Sequence, residues 1–160
     1  MAEHPDPADV QIAPADVRGR EASGLIGRLA QELGALYGDD GSGNFSPADV
    51  GVPGSAFLVV RLRGRPVGCG AFRPMEPGVA EIKRMYVSPD VRGLGLGQRL
   101  LAELEVRAHR ARYAAVRLET GVRQAAALRM YESAGYRRIA NYGIYRDNPL
   151  SVCFEKDLPG

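Results

Sequence analysis

Histidine and cysteine are scarce in this chain of 160 residues, two of each, and that scarcity removes several kinds of chemistry together. A zinc site needs a cluster of such ligands, and a nucleophilic cysteine needs a histidine within reach. Cys69 and Cys153 sit in apolar runs, residues 67–72 and 152–154, without CxxC spacing, and read as buried thiols. His4 falls in a polar stretch and His109 in a helical one, so neither is a promising partner. No metal is expected. Long hydrophobic runs are missing as well: none nears the roughly 18 residues that a membrane helix needs. No membrane span is therefore expected, and without a signal-peptide pattern a cytoplasmic location is. Strong charge of one sign is the third absence. A net charge of +2 from 21 dispersed basic residues leaves no footprint for nucleic acid. The basic run 107–112 reads as the solvated C-terminal end of a helix, where cations offset the dipole.

What remains is a globular composition, 45% hydrophobic and 25% charged. A chain this long suits one domain and can bury about 68–70% of its unfolded surface. Residues 1–9, rich in Pro, Asp and Ala, read as a flexible tail, leaving 10–160 as the domain. Residues 10–13 suit a first strand. Pro14 and Asp16 then open a helix whose apolar face is Leu25, Ile26, Leu29, Leu33, Leu36 and Tyr37. A Gly/Asp loop over 38–44 leads to a short helix start at Ser46-Pro47. Strands at 56–62, 66–72 and 79–87, joined by Arg63-Gly64-Arg65 and Glu76-Pro77-Gly78, form an antiparallel meander. Leu100, Leu101, Leu104 and Ala108 stripe a helix over 97–111, and 114–120 is the next strand. A right-handed crossover places 79–87 and 114–120 side by side and parallel. A helix over 124–134 closed by Gly135 and strands at 136–140 and 151–156 complete the chain.

The central strand carries Glu81, Lys83 and Arg84, where such a strand is ordinarily apolar. Burying unpaired charges costs several kcal/mol each, so part of it is expected to face water or a ligand, in a cleft where it separates from 114–120. Immediately after it, Gly93, Gly95 and Gly97 open a helix. Such a loop brings backbone N–H groups and a positive dipole end against a pyrophosphate. The fit to G-x-G-x-x-G is poor because the third position falls on Gln98, though Glu119 mimics the ribose-binding acid of that fold. A Walker loop is excluded because Gln98 and Arg99 stand where Lys and Ser or Thr belong.

The pattern R-x-x-G-x-G, met by Arg92, Gly95 and Gly97, resembles the acetyl-CoA loop of the GNAT superfamily of N-acyltransferases. Strand, loop and helix, then Leu118-Glu-Thr-Gly121, then 127–136 with Tyr131, Gly135 and Tyr136, follow that superfamily's motif order over 56–157. The C-terminal stretch, with Tyr142, Tyr145 and 148–156, is similar to a bacterial branch whose acceptors are mostly unassigned. The resemblance implies an α/β (mixed α+β) fold: a central mixed sheet with an antiparallel meander, a splayed parallel strand pair and flanking helices. It implies acetyl-CoA as co-substrate, bound by Met85, Tyr86, Val87, Arg92, Gly93, Leu94, Gly95, Leu96, Gly97, Gln98, Gln124, Ala127 and Tyr131. Gln124 departs from the pattern, standing where many members carry an Asn that contacts the cofactor.

The activity implied is direct transfer of acetyl to a primary amine in a ternary complex, with a small-molecule acceptor favoured over a protein N-terminus. Neutralising an alkylamine of pKa near 10.4 at pH 7 takes about 4.6 kcal/mol, which a general base offsets. By resemblance Glu81 is the first candidate, through water, and Glu119 the second. An oxyanion is expected at backbone N–H groups near Met85 to Val87, where a bulged strand frees donors. Tyr131 matches the tyrosine beside the leaving sulfur. A non-catalytic acyl-CoA sensor is the alternative, and a monomer or homodimer is expected.

Overall fold

The computed structural model describes residues 4–160; residues 1–3 of the expected tail lie outside it. The rest of that stretch contains a 3-10 turn, Pro7–Asp9, capped by the Asp6 side chain. Strands β1 (Val10–Pro14), β2 (Ala56–Leu62), β3 (Arg65–Glu76), β4 (Val79–Val87), β5 (Ala115–Gly121), β6 (Arg137–Ile139) and β7 (Ser151–Asp157) make one sheet in the order β1-β2-β3-β4-β5-β7-β6. The β2–β3–β4 meander is antiparallel, and β4–β5 is the parallel pair. Helix α1 (Arg20–Tyr37) follows β1, α2 (Leu96–Arg110) joins β4 to β5, and α3 (Ala125–Ser133) joins β5 to β6.

Two apolar layers hold these helices. On one face Leu100, Leu101 and Leu104 of α2 and Tyr131 of α3 pack with Phe72, Ile82, Leu118 and Phe154. On the other, Leu25 and Leu29 of α1 pack with Phe57, Val59, Cys69 and Tyr86. Burial at this density excludes water from both sides of the central strands. The helix start expected at Pro14 and Asp16 falls later, at Arg20. Pro14 pairs with Leu58 at the sheet edge, where its missing N–H costs nothing, and the Asp16 carboxylate accepts from Arg18 N at 2.9 Å in a turn. Strand β3 runs beyond the expected 66–72 because the meander partner β4 continues opposite it to Glu76.

The functional geometry comes from the parallel pair. Pairing runs from Val79 opposite Ala115 to Ile82 opposite Leu118 and then stops. Beyond Ile82 the strands separate, and β4 bulges where Gly70 of β3 faces the step between Lys83 and Tyr86. Arg84 takes φ +57° there, a left-handed conformation that costs a non-glycine residue about 1–2 kcal/mol.

Candidate active site

A cleft of about 1080 Å³ occupies the gap between β4 and β5, reaching from the glycine loop across to α1. Its floor is β4 from Ile82 onward, and residues 83–87 have no strand neighbour on the β5 side. Alternate N–H groups of an unpaired parallel edge point into the gap, so the strand supplies donors where ladder acceptors end.

The glycine loop forms the second wall. Gly93 and Gly95 both adopt left-handed φ, +83° and +79°. Gly95 serves as N-cap of α2 without any side-chain cap. Among the described residues, the N–H groups from Gly93 to Gln98 take no acceptor from the chain. Six consecutive free donors at a helix N-terminus make an anion cradle. Gly97 answers to packing: a Cβ there would lie 2.9 Å from Met130 Sδ of α3. Arg92 braces the loop rather than projecting free: Nε donates to Val87 O at 2.9 Å, and Nη2 to Glu32 of α1 at 2.7 Å. His4 lies over the same loop, its Nδ1 2.6 Å from Leu94 O.

The two carboxylates proposed from sequence part company. Glu81 is buried, and both its oxygens are engaged: Oε1 accepts from Arg73 Nε and Nη2 at 3.0 and 2.9 Å, and Oε2 from the Tyr142 hydroxyl at 2.8 Å. It does not line the cleft. Glu119 does. Its Oε2 accepts from Ser151 Oγ at 2.6 Å. Desolvation raises its pKa, and the Ser151 hydrogen bond and the Lys83 charge only partly oppose this. A carboxyl group so placed holds a proton more readily than an exposed one.

Tyr131 is buried between Tyr136 and Phe154, with ring centroids 5.7 and 5.9 Å away, yet it borders the cleft. Among the described residues no hydrogen bond engages its hydroxyl. Burial, with the Glu119 charge adding to it, pushes its pKa well up, so it stays protonated and able to donate. Gln124 turns inward. Its Oε1 accepts from Gly121 N at 3.0 Å and from the Tyr37 hydroxyl at 3.3 Å, latching the end of α1 to the β5–α3 turn. Arg123 reinforces that latch through its contact with Leu36 O at 2.6 Å.

The cleft thus gathers Met85, Tyr86, Val87, Arg92, Gly93, Gly95, Leu96, Gly97, Gln98, Glu119, Gln124, Ala127 and Tyr131. Leu94 faces away, toward His4 and Pro7. Tyr145, whose hydroxyl accepts from Lys83 Nζ at 2.7 Å, borders the cleft, as do Tyr86 and Arg123. Sequence reasoning gave no role to Arg73 or Ser151 and placed Tyr37 only on the apolar face of the first helix; their partners come from the sheet register and helix packing. Both cysteines are fully buried, and burial pushes the Cys69 thiol up to about 12.

Comparison with known proteins gives the same picture. The model of the Acetyltransferase (GNAT) family matches residues 29–136. A protein named IAA acetyltransferase from Azospirillum brasilense is 39% identical over 135 residues, 84% of this chain and 88% of that one. A Klebsiella pneumoniae structure assigned to the acyl-CoA N-acyltransferases superposes with a TM-score of 0.80 at 34% identity, covering 94% of this chain and 99% of the other. The fold recurs in a GNAT family acetyltransferase of Elizabethkingia anophelis with acetyl-CoA bound, TM-score 0.70 at 18% identity over 94% and 99% of the two chains. Splayed strands, free loop donors and these matches agree: the chain belongs to the GNAT family of acetyltransferases, enzymes that draw their acyl group from acetyl-CoA.

Proposed function

We propose that the chain moves an acetyl group from acetyl-CoA to the primary amine of a small molecule, by direct attack in a ternary complex. One observation carries this reading: the glycine loop, at Gly93 and from Gly95 to Gln98, with its free N–H groups, and the Glu119 carboxylate border the same cleft. The pyrophosphate lies on those N–H groups, which the α2 dipole supports. The acyl arm runs along β4 toward Met85 and Val87, whose inward donors meet the carbonyl oxygen as charge develops on it. The amine nitrogen bonds to the carbonyl carbon, the carbon–sulfur bond breaks, and one amine proton passes to Glu119.

Glu119 is the general base in this reading because it lines the cleft and its burial lifts its pKa toward the working pH. Glu81, with both oxygens committed to Arg73 and Tyr142, holds β3, β4 and the 142–145 loop together instead. Tyr131 donates a hydrogen bond to the departing sulfur. Its raised pKa makes full proton transfer uphill, so donation describes it better than acid catalysis. Arg92 keeps the loop seated, and Gln124 sets the β5–α3 turn rather than reaching the cofactor.

A thiol-release assay with acetyl-CoA against amines, polyamines, amino acids and peptides tests the reading. CoA release that requires an added small amine supports it. Tight acetyl-CoA binding with no release from any acceptor would leave a sensor module in its place.

A further inference from the structure

On the acceptor side of the cleft, two cations of β4 meet neutral partners. Lys83 Nζ donates to the Tyr145 hydroxyl at 2.7 Å and stands 5.3 Å from that ring's centroid. Arg84 donates to the Gly41 carbonyl and stands 5.4 Å from the Phe45 ring centroid. Arg73, one strand away, by contrast holds two carboxylates, Asp49 and Glu81. The Asp40 charge contributes attraction to Arg84. Lys83 keeps two of its three N–H bonds after the Tyr145 contact.

Half-burying a cation beside neutral groups is unfavourable. Desolvation accordingly lowers the pKa of both Lys83 and Arg84. Both line the cleft, so a ligand can reach them. The carboxylates nearby relieve them only in part, without a direct ion pair to Lys83 or Arg84 among the described residues: Glu81 bonds Arg73 and Tyr142, and Glu119 bonds Ser151. A ligand carboxylate would supply that pair.

We propose that the acceptor is an amino-carboxylate, a primary amine bearing its own carboxylate a few bonds from the nitrogen, as in an amino acid. Its carboxylate meets Lys83 and the Arg84 side of the cleft while its amine faces Glu119. This rests on the N-acetyltransferase reading above. The short spacing follows from the register: Lys83 and Glu119 each follow the last paired residues, Ile82 and Leu118, and stand opposite each other where the strands part, so the ligand's two ends lie close together. A polyamine would set its second cation against Lys83 and Arg84, where like charges repel.

The experiment pairs each acid with its amide, L-alanine against L-alaninamide and β-alanine against β-alaninamide, with kcat/KM referred to the neutral amine. The acid is expected to be preferred about 10- to 100-fold, the worth of one charge-assisted hydrogen bond. In Lys83→Met that preference collapses toward unity, mainly through KM, and Lys83→Arg restores part of it. Lys83→Gln serves if the methionine variant does not fold. Equal use of acid and amide by the wild type overturns the proposal, as does a preference that survives both Lys83→Met and Arg84→Met. If no amine releases CoA, the acetyltransferase reading fails. Calorimetric titration of the same acids and amides into the CoA complex then decides the carboxylate site alone: tighter acids support it, and equal binding sinks it.

Discussion

Replacing Glu119 by Gln separates the two carboxylates and tests how burial sets their roles. The change keeps an oxygen to accept from Ser151, which now donates at 2.6 Å, and removes only the ability to take a proton. If Glu119 is the base, kcat/KM at pH 7 falls by about 10²- to 10⁴-fold, the usual contribution of a placed base. The deficit should close as pH rises, because neutralising an amine of pKa 10.4 takes about 4.6 kcal/mol at pH 7 and progressively less above it. Stability should move oppositely. Desolvation raises the Glu119 pKa above its ordinary 4.5, so the folded state binds the proton more tightly than the unfolded chain. Its favourable contribution is complete below 4.5 and is lost as pH rises through the higher folded value. The Gln variant, free of that loss, should unfold at a higher temperature than wild type at pH 8 and lose the advantage toward pH 4. Glu81→Gln should do the reverse: removing a buried partner of Arg73 and Tyr142 costs about 1.5–3 kcal/mol of stability while the pH–rate profile keeps its shape. CoA release from pH 6 to 10 and thermal unfolding from pH 4 to 8 check both. A flattened profile in Glu81→Gln beside a wild-type profile in Glu119→Gln would refute the reasoning.

Tyr131→Phe keeps the ring between Tyr136 and Phe154 and deletes the donor, so turnover should drop roughly 10- to 150-fold, the worth of about 1.5–3 kcal/mol, with an unchanged melting temperature. An unaltered turnover number would make the residue a packing group only. Gly95→Val forces a β-branched residue to φ +79° with its Cβ 2.9 Å from the His4 ring. The donors of the loop should lose their aim, and calorimetry should find CoA bound at least about tenfold more weakly, the loss of one good hydrogen bond; wild-type affinity would dismiss the cradle.

Strand β4 and the helix after the glycines were legible because local signals bracket them, Gly78 before and Pro89 after the strand, then alternating glycines and a leucine stripe. The separation of β4 from β5 was legible too, since Glu81, Lys83 and Arg84 could not all be buried in a closed sheet. Which carboxylate faces the cleft was not. Glu81 is neutralised by Arg73, its cross-strand neighbour in the β3–β4 register, and Glu119 is steadied by Ser151, the first residue of β7, 32 residues on. Such partners are set by register, not by local spacing. The same holds for Arg92, whose motif suggests a cofactor contact but whose guanidinium meets Glu32, sixty residues earlier. Helix α1 was placed too early because Pro14 and Asp16 carry helix-start chemistry that the β1–β2 edge and an Asx turn claim instead.

Helix α1 is fastened on both rims of the gap, to the glycine loop through Glu32 and Arg92 and to the β5–α3 turn through Tyr37 and Gln124. It works as a crossbar over a wedge. Both rims are tied to the same helix, so a shift of α1 reaches the two sides of the wedge together. If a ligand that draws one rim inward also orders the other through α1, then by linkage the second ligand favours the first by the same factor.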